Sequence, residues 1–186
     1  LLFGSLLHEY QQHRTIHFWN QNTPAIRALL WQNARQVPHI FDLFLIDKQG
    51  VIVNAAYAEN SIGSSVANQA YFIEQRRQPF SQLRINAPIK NRDNQRLIIP
   101  VTWPILDDQG QFNGLLFAAV SPEFFHALFK RIDIGENGTV ILALTDTTTL
   151  IREPDFHKFV GKALPNSSLK RQITDYPNSD TIDISP

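Results

Sequence analysis

The chain contains no cysteine and no methionine among its 186 residues. Without cysteine it can form no disulfide framework, thiolate zinc site, iron–sulfur cluster or cysteine nucleophile. An open reading frame begins with methionine, so the complete absence of that residue indicates a piece taken from a longer protein. We therefore expect further parts of the protein outside this sequence.

An excess of charge is also lacking, because 17 basic side chains balance 17 acidic ones. A neutral surface gives no long-range attraction to nucleic acid or to an anionic membrane. No run approaches the roughly 18 to 20 apolar residues that a membrane-spanning helix needs, and the first residues do not have the pattern of a signal peptide. We expect a soluble fragment with no nucleic-acid partner, while any membrane helices of the parent protein would lie outside it.

Hydrophobic residues are plentiful, at 43% of the chain, which is enough to bury one sizeable core or two small ones. Apolar residues in the first 37 positions recur near the helical period. Thr23 is a suitable N-cap and Pro24 a suitable first helical residue. The pattern predicts one long helix that is kinked or restarted at this pair and ends at Pro38.

After Pro38 the apolar period changes to two, which is typical of strands. Turn residues such as Asp, Asn and Gly separate the apolar runs. The predicted elements are a hairpin of strands 41–46 and 51–53, a short helix between 66 and 79, an antiparallel meander of strands 83–89, 97–105 and 112–120, and a helix over 122–131.

A second, smaller unit is predicted from residue 132 onward. It has strands over 139–144 and 150–152, and after residue 155 the sequence is rich in Pro, Ser, Asn and Asp. These elements are too few to close a core by themselves. The predicted fold class is α+β, with a helix over 1–37, an antiparallel sheet module over 38–131 and an incomplete module over 132–186.

Five segments in this order resemble the Cache superfamily, the PAS-like sensor domains found outside the membrane in bacterial receptors. The resemblance is greatest to double Cache sensors, especially those fused to diguanylate cyclases. The segments are LIDKQGVI (45–52), IG followed by NQAYF (62–72), DQGQFNGL (108–115), SPEFF (121–125) and IDIGENGT (132–139).

The resemblance implies a periplasmic sensor domain of an inner-membrane signalling protein. Residues 38–131 would be the membrane-distal module that holds a small-molecule ligand, and 132–186 the start of the membrane-proximal module. The long helix would run from the first membrane span and pair with its copy in a homodimer. The implied output is a cytoplasmic diguanylate cyclase, although a chemoreceptor or a histidine kinase would use the same kind of sensor.

The implied pocket departs from the family at two positions. Members often carry Asp-Arg-x-Tyr-Phe on the short helix, and Gln69 stands where that arginine would bind a ligand carboxylate. Ser121 stands where amino-acid-binding members carry an aspartate for the ligand ammonium. A neutral amide cannot neutralise a buried anion. We therefore expect a ligand that is uncharged or has its charge near Arg84, or else a pocket that holds no ligand.

Aromatic side chains complete the predicted pocket, although each of them also suits ordinary core packing. Tyr71 and Phe72 lie on the short helix, and Trp103 lies in the middle strand of the meander. The predicted ligand-binding residues are Gln69, Tyr71, Phe72, Arg84, Trp103 and Ser121.

Catalytic and metal sites find little support in the sequence. His13 and His17 have a metal-ligand spacing on one helix face, but no third ligand is evident and a solvated face explains them better. The Asp107-Asp108 pair suits a turn. We expect no enzyme activity, cofactor or metal in this chain, and the alternative to a sensor is a ligand-free structural module for dimerisation.

Overall fold

The computed structural model describes residues 22–78, 83–91, 95–135 and 138–164. Contacts group the chain into two compact units, the first made of Leu1–Asn86 with Ile98–Ser121 and the second of Ala87–Leu97 with Pro122–Pro186. The helix that begins at Pro122 thus belongs with the second unit. The predicted boundaries at residues 37 and 131 stay predictions.

The first described helix, α1, spans Pro24–Ala34. Thr23 has an extended backbone, and its Oγ1 accepts a hydrogen bond of 3.3 Å from the N–H of Ile26, which confirms that a helix starts at the predicted pair. The helix ends at Ala34 rather than at Pro38, and the chain leaves it through short turns. The rest of the predicted long helix, residues 1–21, lies outside the described residues.

The first unit is built on an antiparallel sheet, as the sequence predicts. Its strands have the order β2-β1-β6-β5-β3, and every pair along this order is antiparallel. The elements are β1 Ile40–Asp47, β2 Ile52–Ala55, a 3-10 helix Glu59–Ser61, α2 Ala70–Arg77, β3 Arg84–Ile85, β5 Leu97–Leu106 and β6 Phe112–Val120.

Two turns of the same design close the hairpins of this sheet. Asp47 Oδ1 accepts N–H groups of the turn that leads into β2, and Asp107 Oδ1 does the same before β6. Gly50 has a φ of +84°, and a Cβ there would lie 2.7 Å from the Cα of Ala67. Only glycine fits this position, because a side chain would meet backbone atoms.

The predicted strand over 83–89 is interrupted. It forms β3 and a separate two-residue strand, β4, over Ile89–Lys90, which belongs to the second unit. Pro88 precedes β4 and has no N–H to donate to a sheet. Asn86 ends the β3 pairing, and its backbone N–H donates to the carbonyl of Pro100.

The two α-helices among the described residues of the first unit, α1 and α2, cover opposite faces of the sheet. The rings of Phe44 and Phe117 are neighbours on one face, and Phe117 also contacts the ring of Tyr71 on α2 at 4.9 Å. Leu45, which follows Phe44 in β1, points to the other face of the sheet and pairs in register with Asn54. Asn54 Nδ2 donates to the carbonyl of Thr23, the N-cap of α1.

The second unit contains a short hairpin and two helices among its described residues. His126 stacks on the ring of Phe156 at 4.5 Å, and its Nδ1 lies 2.8 Å from Glu153 Oε2. That this unit is a second PAS-like module stays a prediction. Its further elements are α3 Pro122–Phe129, β7 Val140–Ala143, β8 Thr149–Glu153 and α4 Phe156–Phe159, the last of which the sequence analysis missed.

Candidate functional site

Helix α2 supplies the aromatic side chains predicted to form a pocket. Tyr71, Phe72 and Gln75 are its buried residues, and they share the face that packs on the sheet. Phe72 is fully buried and contacts the ring of Phe112 at 5.7 Å, while Tyr71 contacts Phe117. Both aromatic residues therefore contribute to the core, and a ligand contact by either stays a prediction.

A buried polar network lies beside these rings. Gln75 is only 1% exposed, and its Oε1 accepts a hydrogen bond of 2.8 Å from the hydroxyl of Thr102 on β5. Asn86 Nδ2 donates to Thr102 Oγ1 at 3.3 Å and to the carbonyl of Pro100 at 3.1 Å. The three side chains join α2, the end of β3 and the middle of β5.

The sequence analysis did not name any of these three residues. Gln75 lies one helical turn after Tyr71, and Thr102 is the polar residue in the apolar run LIIPVTWPIL. The positions of Gln75 and Thr102 could have indicated the network, because a polar side chain on a buried face normally has a hydrogen-bond partner. The partners themselves lie far apart in the sequence.

Arg84 lies at the C-terminal end of α2, beside the network. Its Nη2 donates to Gln78 Oε1 at 2.7 Å, and its Nη1 lies 3.4 Å from Glu74 Oε2. Thr102 is its partner in register on β5. The structure therefore brings Arg84 to the short helix, where the sequence analysis placed a cation.

Trp103 is the predicted site residue that the structure separates from the others. Thr102 points to α2, and successive side chains of a strand point to opposite faces of the sheet. The side chain of Trp103 therefore lies on the face of α1, away from Tyr71. The two residues do not form a common wall, and a ligand contact by Trp103 alone stays a prediction.

Gln69 and Ser121 lie at the ends of elements. Gln69 is half-buried and precedes α2, and its carbonyl accepts the N–H groups of Phe72 and Ile73. Ser121 directly follows β6, is buried and donates its N–H to the carbonyl of His39 at 2.8 Å. Their roles in ligand binding stay predictions.

A groove that the sequence analysis did not anticipate lies on the α1 side of the first unit. This α1 groove has a volume of about 610 Å³ and lies between α1 and the segment after β2. Arg27 Nη1 and Glu59 Oε1 are 2.5 Å apart at its wall. Trp31 and Tyr57 also line it and are 41% and 45% exposed. Its residues come from two segments that no local pattern connects.

A buried carboxylate fixes the segment that carries Tyr57. Asp42 accepts the N–H groups of Leu43, Ala56 and Tyr57 at Oδ1 and that of Ala58 at Oδ2, over 2.8 to 3.1 Å. Burial raises the pKa of Asp42, and the four N–H groups oppose that rise only in part. The carboxylate thus serves as an acceptor for one wall of the groove.

Metal ligands do not cluster in the part of the chain that the structure describes, where no group of three or more His, Cys, Asp or Glu could hold an ion. His13 and His17 lie outside that part. Within the same ranges, none of the helices has the length and apolar character needed to cross a membrane.

No family model matches this sequence, and no curated protein matches it either. Solved structures do match. The extracellular domain of rpHK1S-Z16, described as a histidine kinase, has a TM-score of 0.74 and 22% identity over 90% of this chain and 72% of its own. An extracellular ligand-binding receptor from Desulfohalobium retbaense has a TM-score of 0.64 and 19% identity over 85% of this chain and 29% of its own.

The ligand-binding domain of the Pseudomonas aeruginosa amino acid chemoreceptor PctB, solved in complex with L-Gln, has a TM-score of 0.57. It is 17% identical over 88% of this chain and 64% of its own. The chain spans less than two thirds of both receptor structures. Likeness at such identities is a likeness of fold. The chain shares its fold with the extracellular and ligand-binding domains of the histidine kinase and the chemoreceptor described above.

Proposed function

We propose that this chain is the extracytoplasmic, small-molecule-sensing domain of a bacterial transmembrane signalling protein. The fold supports the proposal, because its structural neighbours are extracellular domains of that kind and not catalytic domains. The observation that carries it is the hydrogen-bonded network of buried Gln75 and Thr102 with half-buried Asn86, which lies beside Tyr71 and Arg84 between α2 and the sheet. Ligand pockets typically combine apolar walls with a few fixed polar groups of this type.

The chemistry of the network favours an uncharged ligand or one whose charge lies near Arg84. The buried polar groups are amides and a hydroxyl, which form hydrogen bonds but cannot balance an ionised group. An unpaired buried charge costs several kcal/mol in practice. Arg84 is the cation beside the network. An amino acid, as in the PctB structure, would need Gln69 and Ser121 to replace charged partners.

The signalling step is a shift between two populations of the domain, one of which binds the ligand more tightly. In this proposal the N-terminal helix pairs with its copy in a homodimer and carries the change to a cytoplasmic output domain. The sequence resemblance points to a diguanylate cyclase as the output. A histidine kinase or a chemoreceptor output is the alternative, and two of the structural neighbours described above belong to those classes.

The test is a thermal-shift screen of neutral metabolites, dicarboxylates and amino acids, followed by calorimetric titration of each hit. A ligand that binds the folded state must raise the melting temperature. We expect Thr102→Val to weaken binding of a hit at least tenfold, and Arg84→Gln to do so for a ligand with a carboxylate. Arg35→Gln, at the C-cap of α1 on the other side of the sheet, is the control and should leave binding unchanged. A hit that binds equally well to all three variants would contradict the proposed pocket.

A ligand-free dimerisation module is the second candidate. It is favoured by the observation that Gln75, Thr102 and Asn86 already form hydrogen bonds to one another. Sedimentation of the chain with and without residues 1–20 tests the dimer. If no compound binds and Tyr71→Ala changes only the unfolding free energy, this candidate replaces the sensor.

A further inference from the structure

The α1 groove has the size and lining of a small-molecule site. Its volume of about 610 Å³ falls in the range typical of such sites. Trp31 and Tyr57 expose large ring surfaces in it, whereas Tyr71, Phe72 and Phe117 on the other face of the sheet are buried. Two exposed aromatic side chains at one groove offer flat apolar contact area to a ligand.

Both walls of the groove are fixed before any ligand arrives. Ile26 and Leu30 anchor α1 and are fully buried. On the opposite wall, Asp42 holds the N–H groups of the segment that carries Tyr57. Pre-formed walls favour binding, because few side chains and loops must become ordered when the ligand binds.

Arg27 gives the groove a cation whose hydrogen-bonding capacity is only partly used. Arg27 and Glu59 are the charged residues of its lining. Arg27 Nε is buried without a hydrogen-bond partner among the described residues, and Nη1 is held by Glu59. The Glu59 side chain is 63% exposed, so water can solvate it when it leaves Arg27. Half-exposed ion pairs of this kind contribute little stability.

We propose that the α1 groove is a second ligand site, which takes a small carboxylate that carries a flat ring. The ligand carboxylate replaces Glu59 on the guanidinium of Arg27, and the ring packs against Trp31 and Tyr57. Glu59 is then a built-in competitor that weakens binding. The site is separate from the α2 pocket of the proposed function and does not depend on it.

The test uses phenylacetate, its neutral amide phenylacetamide and the cation phenethylamine, each titrated into the chain by calorimetry. We expect phenylacetate to bind and the other two to bind at least tenfold more weakly. Arg27→Gln should weaken phenylacetate binding at least tenfold. Glu59→Gln should tighten it several-fold, because the competing carboxylate is gone. Trp31→Phe should remove the fluorescence change that accompanies binding at this groove.

Arg76→Gln is the control, because Arg76 is an exposed arginine of α2 that belongs to neither proposed site. It should leave phenylacetate binding unchanged, and Arg84→Gln distinguishes the two sites. Loss of binding in Arg84→Gln with retention in Arg27→Gln would assign the ligand to the α2 pocket and overturn this proposal.

Weaker binding in Glu59→Gln, or a preference for phenethylamine, would also overturn the proposal, because the groove would then recognise a cation. No binding of phenylacetate to either wild type or Glu59→Gln would do the same. None of these outcomes bears on Thr102, on which the test of the proposed function depends. Melting temperatures of the variants confirm that each one is folded.

Discussion

On the α2 face of the first unit's sheet, Gln75 and Thr102 are buried and bonded to each other, whereas on the α1 side Arg27 and Glu59 meet at a half-exposed rim. When a buried polar group loses its partner, no water can take the partner's place. When an exposed ion pair is broken, water solvates both charged groups. Substitutions in the α2 network should therefore change both stability and binding, and substitutions at the rim of the α1 groove should change binding alone.

The largest expected loss of unfolding free energy comes from truncating a buried apolar side chain beneath either helix. Phe72→Ala should lower the unfolding free energy by about 4 kcal/mol and Leu30→Ala by about 3 kcal/mol, because each leaves a cavity beneath its helix. Urea unfolding measures both values. A cost below about 1 kcal/mol for Leu30→Ala would show that α1 is not docked on the sheet, and the comparison of two covered faces would fail.

A somewhat smaller effect is expected from the carboxylate that fixes the groove wall. Asp42→Ala leaves the N–H groups of Tyr57 and Ala58 without their acceptor and should cost about 2 to 3 kcal/mol. Asp47→Ala is the control, because Asp47 accepts two N–H groups of an exposed turn that water can reach, and it should cost about 1 kcal/mol. Equal losses in chemical denaturation would mean that burial of Asp42 has no special role.

The network on the α2 face should show non-additive behaviour. Thr102→Val alone should cost about 1.5 kcal/mol, because Gln75 Oε1 loses its buried donor. The double variant with Gln75→Leu removes both partners and should cost less than the sum of the two single changes. A double-mutant cycle of unfolding free energies measures the coupling. Strict additivity would show that the two side chains act independently.

The smallest expected effect is the pH dependence that Asp42 imposes. Burial raises its pKa in the folded state, so the folded state binds the proton more readily than the unfolded one. The contribution of Asp42 to stability therefore falls as pH rises from about 4 through its raised pKa. The unfolding free energy of wild type minus that of Asp42→Asn should decrease over this range. If the difference grew with pH instead, the pKa of Asp42 would be lowered in the folded state and the prediction would be wrong.

Local signals in the sequence were enough for most elements of the first unit. Thr23-Pro24 marks the start of α1, and the Asp-x-x-Gly turns after β1 and β5 mark two hairpins. These devices act within four residues, so a single sequence displays them. The antiparallel sheet followed from the apolar runs between such turns.

Long-range relations explain what the sequence did not show. Trp103 points to the opposite face from Thr102, its neighbour in β5. Thr102 faces α2 because of its hydrogen bond to Gln75, which lies 27 residues earlier in the chain. The α1 groove joins Arg27 to Glu59, and neither position has a local pattern that names its partner. Pro88 did signal the break after β3, although the apolar period around it indicated a continuous strand.

The strand order β2-β1-β6-β5 has a consequence for the kinetics of folding. Each outer hairpin closes over a short turn, and hairpins form in about 1 to 10 μs. The central pairing of β1 with β6, as between Leu45 and Leu116, must close a loop that contains α2 and most of the first unit. Pairings between distant segments form slowly. We therefore expect the two hairpins to form first and the middle of the sheet, where β1 pairs with β6, to join them last.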